Sequence, residues 1–420
     1  MRSSLIESAA RRRLLAGGAS ALAAASLGRA VQAAEPKTAP GAAAPAPASA
    51  PASASAAKPL PAYAAWKQPE AMIVHSANTI ETRREAFGSG VVTPLRQLYV
   101  RNNLPPPDEA IVADRDAWMI EIAGVAKPMS LSLAQLKTMG LQTLAMVLQC
   151  SGNGRGYFPN KPSGTPWQVG AAGCVIWSGV PVSALVEHCG GLTAAAMFMT
   201  GTGGEKLPDG LDPNMVMVER SVPKEAMQDA LLAWELNGEP IPLAHGGPLR
   251  LVVPGYTGVN SVKYIKRLAF TEKESPAAIQ QTGYRLAPAG QKGDPSHPSV
   301  WAMGVKSWIN TPSPSASTLK PGRVVVQGVA FGGVNAIKQV EVSIDGGKQW
   351  QKAELVGPDL GRYAWRQFAL PVELTAGEHV LVSRATDTEG RVQEEDRPQN
   401  SGGYINNSWR DHAVAVAVKA

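Results

Sequence analysis

The chain has 420 residues, more than one hydrophobic core usually serves, so two domains are expected. Residues 1–33 hold five arginines and one glutamate, which leaves 35 basic and 33 acidic side chains in the rest of the chain. That near balance gives no reason to propose nucleic acid or an anionic membrane as a partner. No apolar run of about 18 residues occurs outside the first 33, so we expect no membrane span.

The first 33 residues have the features of a twin-arginine export signal. Three arginines at 11–13 precede an Ala-rich apolar stretch that ends in "VQA" at 31–33, a small-residue cleavage pattern. This route exports folded proteins with their cofactors, so we expect a periplasmic protein. An ordinary secretory signal or a basic amphipathic leader is the alternative. Residues 34–70, rich in Ala, Pro and Ser, are expected to form a disordered linker.

Residues 71–290 are predicted to form an α+β domain. The segments "AWMIEIAGV" and "PLRLVVPG" alternate or run apolar in the way strands do. The segment "SVPKEAMQDALLAWELNG" at 221–238 predicts a helix that ends at a glycine. Glycine-rich loops such as "MTGTGGEKLP" at 199–208 are expected to separate these elements.

Residues 291–420 show strand patterns at close spacing and no helical period. The strands are expected in "RVVVQGVAFGG", "IKQVEVSIDGGKQW", "YAWRQFALPV" and "HVLVSRATDTEG", with Asp-Gly-Gly and Pro-Gly turns nearby. This pattern is typical of an antiparallel immunoglobulin-like sandwich. The predicted fold is therefore an α+β domain followed by an all-β sandwich.

Cys150 ends the apolar run of "VLQCSGNGR" at 147–155, and the small residues after it predict a tight turn. The thiol should lie at the mouth of a buried strand. A lone thiolate is a sufficient metal ligand only if a cofactor supplies the other donors. The alternatives are a nucleophile with a distant histidine base and a buried free cysteine.

The chain has no CxxC or CxxCH motif for zinc, an iron–sulfur cluster or covalent haem, and the pairing of Cys174 with Cys189 stays open.

Several motifs, in order and with fitting gaps, resemble the sulfite oxidase family of molybdopterin enzymes. They are "LYVRNNLPPP" at 98–107, "CSGNGR" at 150–155, "GTPWQVGAAGCVIWSGVPV" at 164–182, "HGGPLRLVVPGYTGVNSVKYIKRL" at 245–268 and "QTGYRL" at 281–286. The resemblance implies one molybdenum bound by a pterin dithiolene and by Cys150. It also implies oxygen-atom transfer that converts sulfite to sulfate, with electrons passed singly to a c-type cytochrome on a separate chain. It implies no haem in this chain, and a homodimer through the sandwich or a heterodimer with a haem subunit.

The resemblance also carries the site residues over, one by one. Guanidinium forks suit oxyanions, and basic groups around glycine-rich backbone suit a phosphate. The residues that match the substrate side are Arg101, Arg155, Trp167, Tyr284 and, more loosely, Arg410. Those that match the cofactor side are Asn102, Asn103, Cys150, Thr202, His245, Arg250, Ser261 and Lys263, of which His245 and Arg250 match the pair that binds the pterin phosphate, with Ser261 and Lys263 nearby.

Two positions depart from the commonest family pattern. Asn103 stands where many members have a histidine, and Gly154 replaces an arginine often found there. The nearest alternative within the superfamily is a sulfane-sulfur dehydrogenase that acts on a protein-bound thiol. A protein-repair methionine sulfoxide reductase would run the oxygen transfer backward, but such enzymes typically lack the sandwich. A non-catalytic exported binding protein is the alternative from another class, and it should purify without molybdenum.

Overall fold

The computed structural model describes residues 58–88, 90–315 and 319–420. The predicted export signal and residues 34–57 of the predicted linker lie outside the described residues. From residue 58 to residue 70 the linker prediction is wrong, because this segment is folded. It forms two 3₁₀ turns, Ala62–Ala64 and Pro69–Ala71, and its Leu60 and Tyr63 pack against a small apolar cluster.

The segment leads into a small antiparallel sheet of three strands in the order β1-β2-β3. These strands are β1 (Met72–Ser76), β2 (Thr79–Thr82) and β3 (Val100–Arg101). The last strand ends at Arg101, so the "RNN" motif begins at the end of the outer strand of this sheet.

Two five-stranded sheets and four short α-helices make up the rest of the N-terminal domain in the described residues. The sheet orders are β11-β10-β7-β6, with β12 paired to β10, and β5-β4-β13-β8-β9. The largest apolar cluster contains residues of both sheets. The elements are β4 (Met119–Ala123), β5 (Met129–Ser132), α1 (Leu133–Leu136), β6 (Gln142–Gln149), β7 (Ala172–Pro181), α2 (Val182–His188), β8 (Phe198–Gly203), α3 (Pro213–Val216), β9 (Glu219–Pro223), β10 (Leu231–Leu236), β11 (Glu239–Pro240), β12 (Arg250–Val252), β13 (Ile265–Thr271) and α4 (Ala278–Gln281).

The helix predicted at 221–238 is wrong. The segment contains the end of β9, a 3₁₀ turn at Lys224–Gln228 and the whole of β10. Strand β10 lies between β7 and β12 and is buried along nearly its whole length, so its apolar run has no alternation to mark it as a strand. The terminal Asn237-Gly238, with φ of 55° and 80°, is the two-residue turn of a hairpin between β10 and β11.

The predicted glycine-rich loop at 199–208 is wrong in its first half, which belongs to β8. A Cβ at Gly201 would lie 2.9 Å from Leu251 Cδ2, so glycine here allows the strand to pack closely. The residues after Gly203 do form a loop, and it reaches the cavity described below.

The predicted all-β C-terminal domain is confirmed. Its two antiparallel sheets have the orders β14-β15-β19-β18 and β17-β16-β20-β21, and one apolar cluster takes residues from both, as in a sandwich. The strands are β14 (Lys306–Thr311), β15 (Gly322–Phe331), β16 (Ile337–Ser343), β17 (Gln351–Lys352), β18 (Glu354–Val356), β19 (Arg366–Leu374), β20 (Gly377–Asp387) and β21 (Val414–Val418).

The three cysteines are unpaired and buried. Cys174 lies within β7, where burial raises the pKa of its thiol to about 12. Cys189 follows α2 directly. Among the described residues, no helix is long and apolar enough to cross a bilayer.

Candidate active site

Cys150 lies directly after β6, as the sequence predicts. Its backbone N–H donates to Ala171 O at 2.8 Å, which continues the pairing of β6 with β7 by one residue. The side chain is 7% exposed and packs in an apolar cluster that includes Tyr99, Leu148 and Trp167. A buried strand therefore presents one thiol to the edge of a cavity.

The residues after Cys150 form the predicted tight turn. The Asn153 N–H donates to Cys150 O at 3.0 Å, and the Arg155 N–H donates to Gly152 O at 2.8 Å. Gly154 has a φ of 90°, which glycine adopts without strain. A Cβ at this position would lie 3.0 Å from His412 Nε2, so no arginine fits here without rearrangement.

The thiol lines a cavity that is partly open to solvent. Tyr99 and Gly258 are among the lining residues that the sequence did not predict as part of the site, and Glu205 of the glycine-rich loop at 199–208 also lines it. Nine of the predicted site residues line it together. They are Arg101, Asn102, Asn103, Cys150, His245, Arg250, Ser261, Lys263 and Tyr284.

One end of the cavity, here called the basic end, is formed by His245, Arg250, Ser261 and Lys263. Arg250 donates from Nε to Ser261 O at 3.0 Å and from Nη1 to His245 O at 2.9 Å. Lys263 Nζ donates to Asn102 Oδ1 and to Ala244 O, both at 2.6 Å. The bonds hold these cations in place without neutralising them, because most of the acceptors are backbone carbonyls.

Electrostatics at the basic end are unfavourable without an anion. Burial, then the charges of Lys67, Lys263 and Arg250, lowers the pKa of His245 well below its ordinary value. Burial, then the charge of Arg250, likewise lowers the pKa of Lys263. Glu205 also lines the cavity, and burial raises its pKa to about 7, against the influence of Lys263. A phosphate group bound here would favour the charged forms of Arg250 and Lys263 and accept hydrogen bonds from the basic end.

Close to Cys150, Arg101, Asn103 and Tyr284 form a hydrogen-bonded group. Tyr284 donates its hydroxyl hydrogen to Asn103 Oδ1 at 3.2 Å and accepts from Arg101 Nη2 at 3.4 Å. Burial opposes the charge of Arg101, but Tyr284 and Cys150 outweigh it and raise the pKa of the guanidinium. A permanent positive charge and an oriented phenol thus lie in the same cavity as the thiol.

Arg155 lies behind this group rather than in the cavity lining. It donates from Nε to Gly402 O at 2.9 Å and from Nη1 to Thr165 O at 3.1 Å. Its guanidinium lies 5.4 Å from the ring centre of Tyr404. Tyr404 in turn stacks on Tyr284, with ring centres 5.2 Å apart and planes at 20°.

Tyr404 was missed by sequence analysis, which selected Arg410 from the same C-terminal stretch. Arg410 is exposed and pairs with Glu395 and Asp396, the latter at 3.0 Å, so it lies apart from the cavity. The stretch turns Asn406 and His412 toward Gly154 instead. A tyrosine in a Gly-Gly-Tyr sequence carries no signal that would mark it as a site residue.

Trp167 and Thr202 also do not line the cavity. Trp167 is fully buried and lies edge-on to Tyr99, at 6.3 Å between ring centres, so it supports the wall from behind. Its indole Nε1 has no hydrogen-bond partner in the described part of the chain. Thr202 donates its hydroxyl hydrogen to Glu219 and thereby braces β8 against β9.

The donors of this cavity fit a molybdenum–molybdopterin cofactor. Cys150 Sγ would be the single protein ligand of the metal. His245, Arg250, Ser261 and Lys263 would hold the phosphate, which would supply the negative charge that the basic end lacks. Among the described residues, no group of three or more His, Cys, Asp or Glu side chains offers a site for a bare metal ion.

Comparison with known proteins agrees with this chemistry. Residues 106–279 match the oxidoreductase molybdopterin binding domain, and residues 297–419 match the Mo-co oxidoreductase dimerisation domain. Over 351 residues the chain is 30% identical to the sulfite oxidase of Gallus gallus, covering 78% of this chain and 74% of that protein. The chain belongs to the sulfite oxidase family. Its fold is therefore a sulfite-oxidase-type molybdenum domain followed by an all-β domain.

Other relatives in this family carry out different reactions. Nitrate reductase [NADH] 2 of Phaseolus vulgaris is 29% identical over 364 residues, which cover 80% of this chain but only 40% of that protein. The crystal structure of the sulfane dehydrogenase SoxCD from Paracoccus pantotrophus matches with a TM-score of 0.67 and 26% identity, over 81% of this chain and 87% of that one. The chain is thus a molybdenum oxidoreductase, and its substrate is a separate question.

Proposed function

We propose that this protein oxidises sulfite to sulfate by oxygen-atom transfer and passes the electrons singly to a c-type cytochrome on a separate chain. The observation that carries the proposal is the presence of Arg101 and Tyr284 in the same cavity as Cys150. The sulfite oxidase relative supports the same substrate. When bound, the molybdenum cofactor supplies the two-electron exchange of an oxygen atom with sulfur.

The chain's own residues bind and orient the substrate. Arg101 offers fixed guanidinium donors to an oxyanion, and its raised pKa keeps the charge at any working pH. Asn103 sets the direction of the Tyr284 hydroxyl, since it accepts that hydrogen. On substrate binding, the hydroxyl exchanges this bond for one to a sulfite oxygen. Because Arg101 is charged and Tyr284 is oriented before the reaction begins, the two residues lower its activation barrier.

A sulfane-sulfur compound is the second candidate substrate. The similarity to SoxCD, which extends over most of both chains, favours it. The lining of the cavity near Cys150 also carries one guanidinium rather than two, because Arg155 is drawn back to Gly402 and Tyr404. A less charged sulfur substrate would need fewer cations. Nitrate is a further compound to test, because the Phaseolus relative is a nitrate reductase. Nitrate reduction transfers the oxygen atom in the opposite direction to sulfite oxidation.

The experiment is reduction of oxidised cytochrome c by sulfite, with the full chain purified and its molybdenum content measured. We expect reduction at micromolar sulfite, and its loss in Cys150→Ser. Cys189→Ser is the matched control, because Cys189 is also buried and free but lies outside the cavity. Thiosulfate with the same acceptor, and nitrate with reduced viologen, are tested in parallel.

Each result assigns or removes one part of the proposal. A molybdenum-loaded protein that ignores sulfite but oxidises thiosulfate would move the substrate to a sulfane sulfur. A protein that only reduces nitrate would reverse the direction of the reaction. A folded protein that never carries molybdenum or pterin would overturn the cofactor assignment, and with it the proposed function.

Export and assembly are part of the same proposal. The arginines at 11–13 support export of the folded protein to the periplasm by the twin-arginine route. The match of residues 297–419 to a dimerisation domain supports a dimer formed through the sandwich, and the acceptor cytochrome would dock on it as a separate chain.

A further inference from the structure

We propose that Lys67 is a positioning residue for the basic end of the cavity. It fixes the ring of His245 so that Nδ1 carries the hydrogen and donates it to the phosphate group bound there. Lys67 lies in the segment 58–71, ahead of the residues 106–279 that match the molybdopterin domain. The inference depends on the proposed function only for the identity of the anion, because any phosphate bound at the basic end would accept the same hydrogen from His245 Nδ1.

The hydrogen bonds of Lys67 set the tautomer of His245. Lys67 is 2% exposed, and its Nζ lies 2.8 Å from Leu95 O, 2.6 Å from Leu98 O and 3.0 Å from His245 Nε2. An ammonium has three hydrogens and no lone pair, so all three neighbours must be acceptors. His245 Nε2 therefore carries no hydrogen, and in a neutral ring the hydrogen must be on Nδ1.

His245 is placed to use that hydrogen on a ligand. The residue is 1% exposed and lines the cavity. Among the hydrogen bonds of residues 58–88, 90–315 and 319–420, its ring makes only the one to Lys67. Its Nδ1 is not among the fully buried polar atoms that lack a partner, so the hydrogen on Nδ1 is accessible to a ligand, and a phosphate oxygen in the cavity would accept it.

The surrounding charges require the neutral ring. Lys67, Lys263 and Arg250 all face His245, and with burial they keep its pKa well below the ordinary value. A protonated ring would place its own Nε2 hydrogen against the Lys67 ammonium at 3.0 Å. Burial also lowers the pKa of Lys67 to about 7. A phosphate at the basic end would hold the Lys67 ammonium charged. The carboxyl group of Glu205 interacts with the charge of Lys263.

The segment that carries Lys67 covers this end of the cavity. Trp66 lies edge-on to the His245 ring, with ring centres 6.0 Å apart and planes at 74°. Tyr63 donates its hydroxyl hydrogen to Ala77 O at 2.7 Å and accepts from Asn102 Nδ2 at 3.4 Å. The segment is thus packed on two residues that line the cavity. Chain outside the matched domain thereby contributes a charge to the cofactor site.

The first measurement needs no variant. Nitrogen-15 NMR of the histidine-labelled full chain, with the His245 signal assigned by its loss in His245→Gln, reports which ring nitrogen carries the hydrogen. We expect hydrogen on Nδ1, both in the cofactor-loaded protein and in cofactor-free protein with inorganic phosphate added. Hydrogen on Nε2 in both samples would overturn the proposal. Because the phosphate sample contains no molybdenum, this result is independent of whether the proposed function holds.

The second measurement is retention of the cofactor. Lys67→Met preserves the length of the side chain but removes the donor, and we expect bound molybdopterin to be lost roughly ten- to a hundredfold faster in dialysis, as when an outer-shell partner is removed. Lys58→Met is the matched control, because Lys58 is in the same segment but donates to His75 O. Lys67→Gln, which can donate one N–H to Nε2, should restore part of the retention.

A purely structural role of Lys67 would give a different pattern. Lys67 would then only connect the segment 58–71 to Leu95 and Leu98. In that case Lys67→Met would lower the melting temperature while the ring hydrogen of His245 stayed on Nδ1. Retention at the wild-type rate in Lys67→Met, or equal loss in Lys58→Met, would also overturn the proposal.

Discussion

Among single residues, Tyr404 connects the cationic and aromatic groups near Cys150. Its ring lies between the guanidinium of Arg155 and the ring of Tyr284. A Cβ at Gly402 would lie 2.0 Å from Tyr404 Cε2, so the ring occupies the space that a side chain at 402 would take. Tyr404 therefore holds Tyr284 in place although it does not itself line the cavity, which makes it a positioning residue.

We expect Tyr404→Leu to raise the KM for the oxyanion about tenfold and to change kcat less. Loss of one aromatic stack and one cation–π contact corresponds to about 1–2 kcal/mol, and 1.4 kcal/mol is a factor of ten. Tyr404→Phe keeps both contacts and should stay within about twofold of wild type. Steady-state kinetics, normalised to molybdenum content, provide the measurement. Equal effects of the two substitutions would contradict a role of the ring.

Single residues also mark the limit of what the sequence could predict. The "RNN", "CSGNGR" and "HGGPLR" motifs are short and can be recognised locally. Each of them contributes predicted residues to the lining of the same cavity. Lys67 and Tyr404 reach the site only through tertiary packing, and 178 residues of sequence separate Lys67 from His245. No local pattern distinguishes such residues from ordinary surface or core positions.

At the scale of elements, the turn after Cys150 is held from both sides. Its Gly154 N–H donates to Gln168 O at 2.6 Å, and its Gly154 O accepts from Asn406 Nδ2 at 3.0 Å. The Ile405 N–H donates to Ser151 O at 2.8 Å. The conformation of the turn thus depends on a loop from the C-terminal domain as well as on the segment that precedes β7.

We expect Gly154→Ala to destabilise the fold by more than Gly191→Ala. Both glycines have a positive φ, of 90° and 93°, which costs an alanine about 1–2 kcal/mol. Nothing lies within 4 Å of a Cβ at Gly191, whereas a Cβ at Gly154 meets His412 and Asn406 at 3.0 and 3.1 Å. Urea titrations give the loss of unfolding free energy in each variant. The difference between the two losses measures the cost of the contact with His412 and Asn406. Equal losses in the two variants would mean that the turn adjusts to the added methyl group at no cost in stability.

Strands were predicted correctly from alternation or from short apolar runs bounded by turn residues, whereas the buried strand β10 was predicted as a helix. The four C-terminal segments predicted as strands contain β15, β16, β19 and β20, and every second position in the first half of β15 is half-buried or buried. Strand β10 is buried on nearly every residue, so its Leu-Leu-Ala-Trp run gave no period. The Asn237-Gly238 pair was the usable signal there, because this dipeptide favours a hairpin turn.

For the whole molecule, the C-terminal domain is a structural part of the active site. Lys306, the first residue of β14, is fully buried and donates to Asn153 O at 3.2 Å, within the turn that follows Cys150. Arg84 of the N-terminal domain likewise donates to Ile309 O of β14, at 3.2 Å. We therefore expect the two domains to unfold together, and loss of the sandwich to release the cofactor.

Lys306 makes that connection dependent on pH. Burial lowers its pKa to about 7, against the favourable charge of Asp411 and with the unfavourable charge of Arg84. In the unfolded chain the pKa returns to about 10.5, so between these values the unfolded state binds the proton and the folded state does not. The lysine thus costs stability at neutral pH, and the cost falls as the pH rises from about 7 toward 10.

We expect Lys306→Met to remove this dependence. Relative to the variant, the wild-type free energy of unfolding should rise by up to about 1.4 kcal/mol per pH unit between about pH 7.5 and 9.5. Urea titrations at three pH values across this window measure it. Lys352→Met is the control, because Lys352 is an exposed lysine of the same domain and should give a curve parallel to wild type. A parallel curve for Lys306→Met as well would mean that the buried amine keeps its proton, and that the Asn153 and Asp411 contacts outweigh its burial.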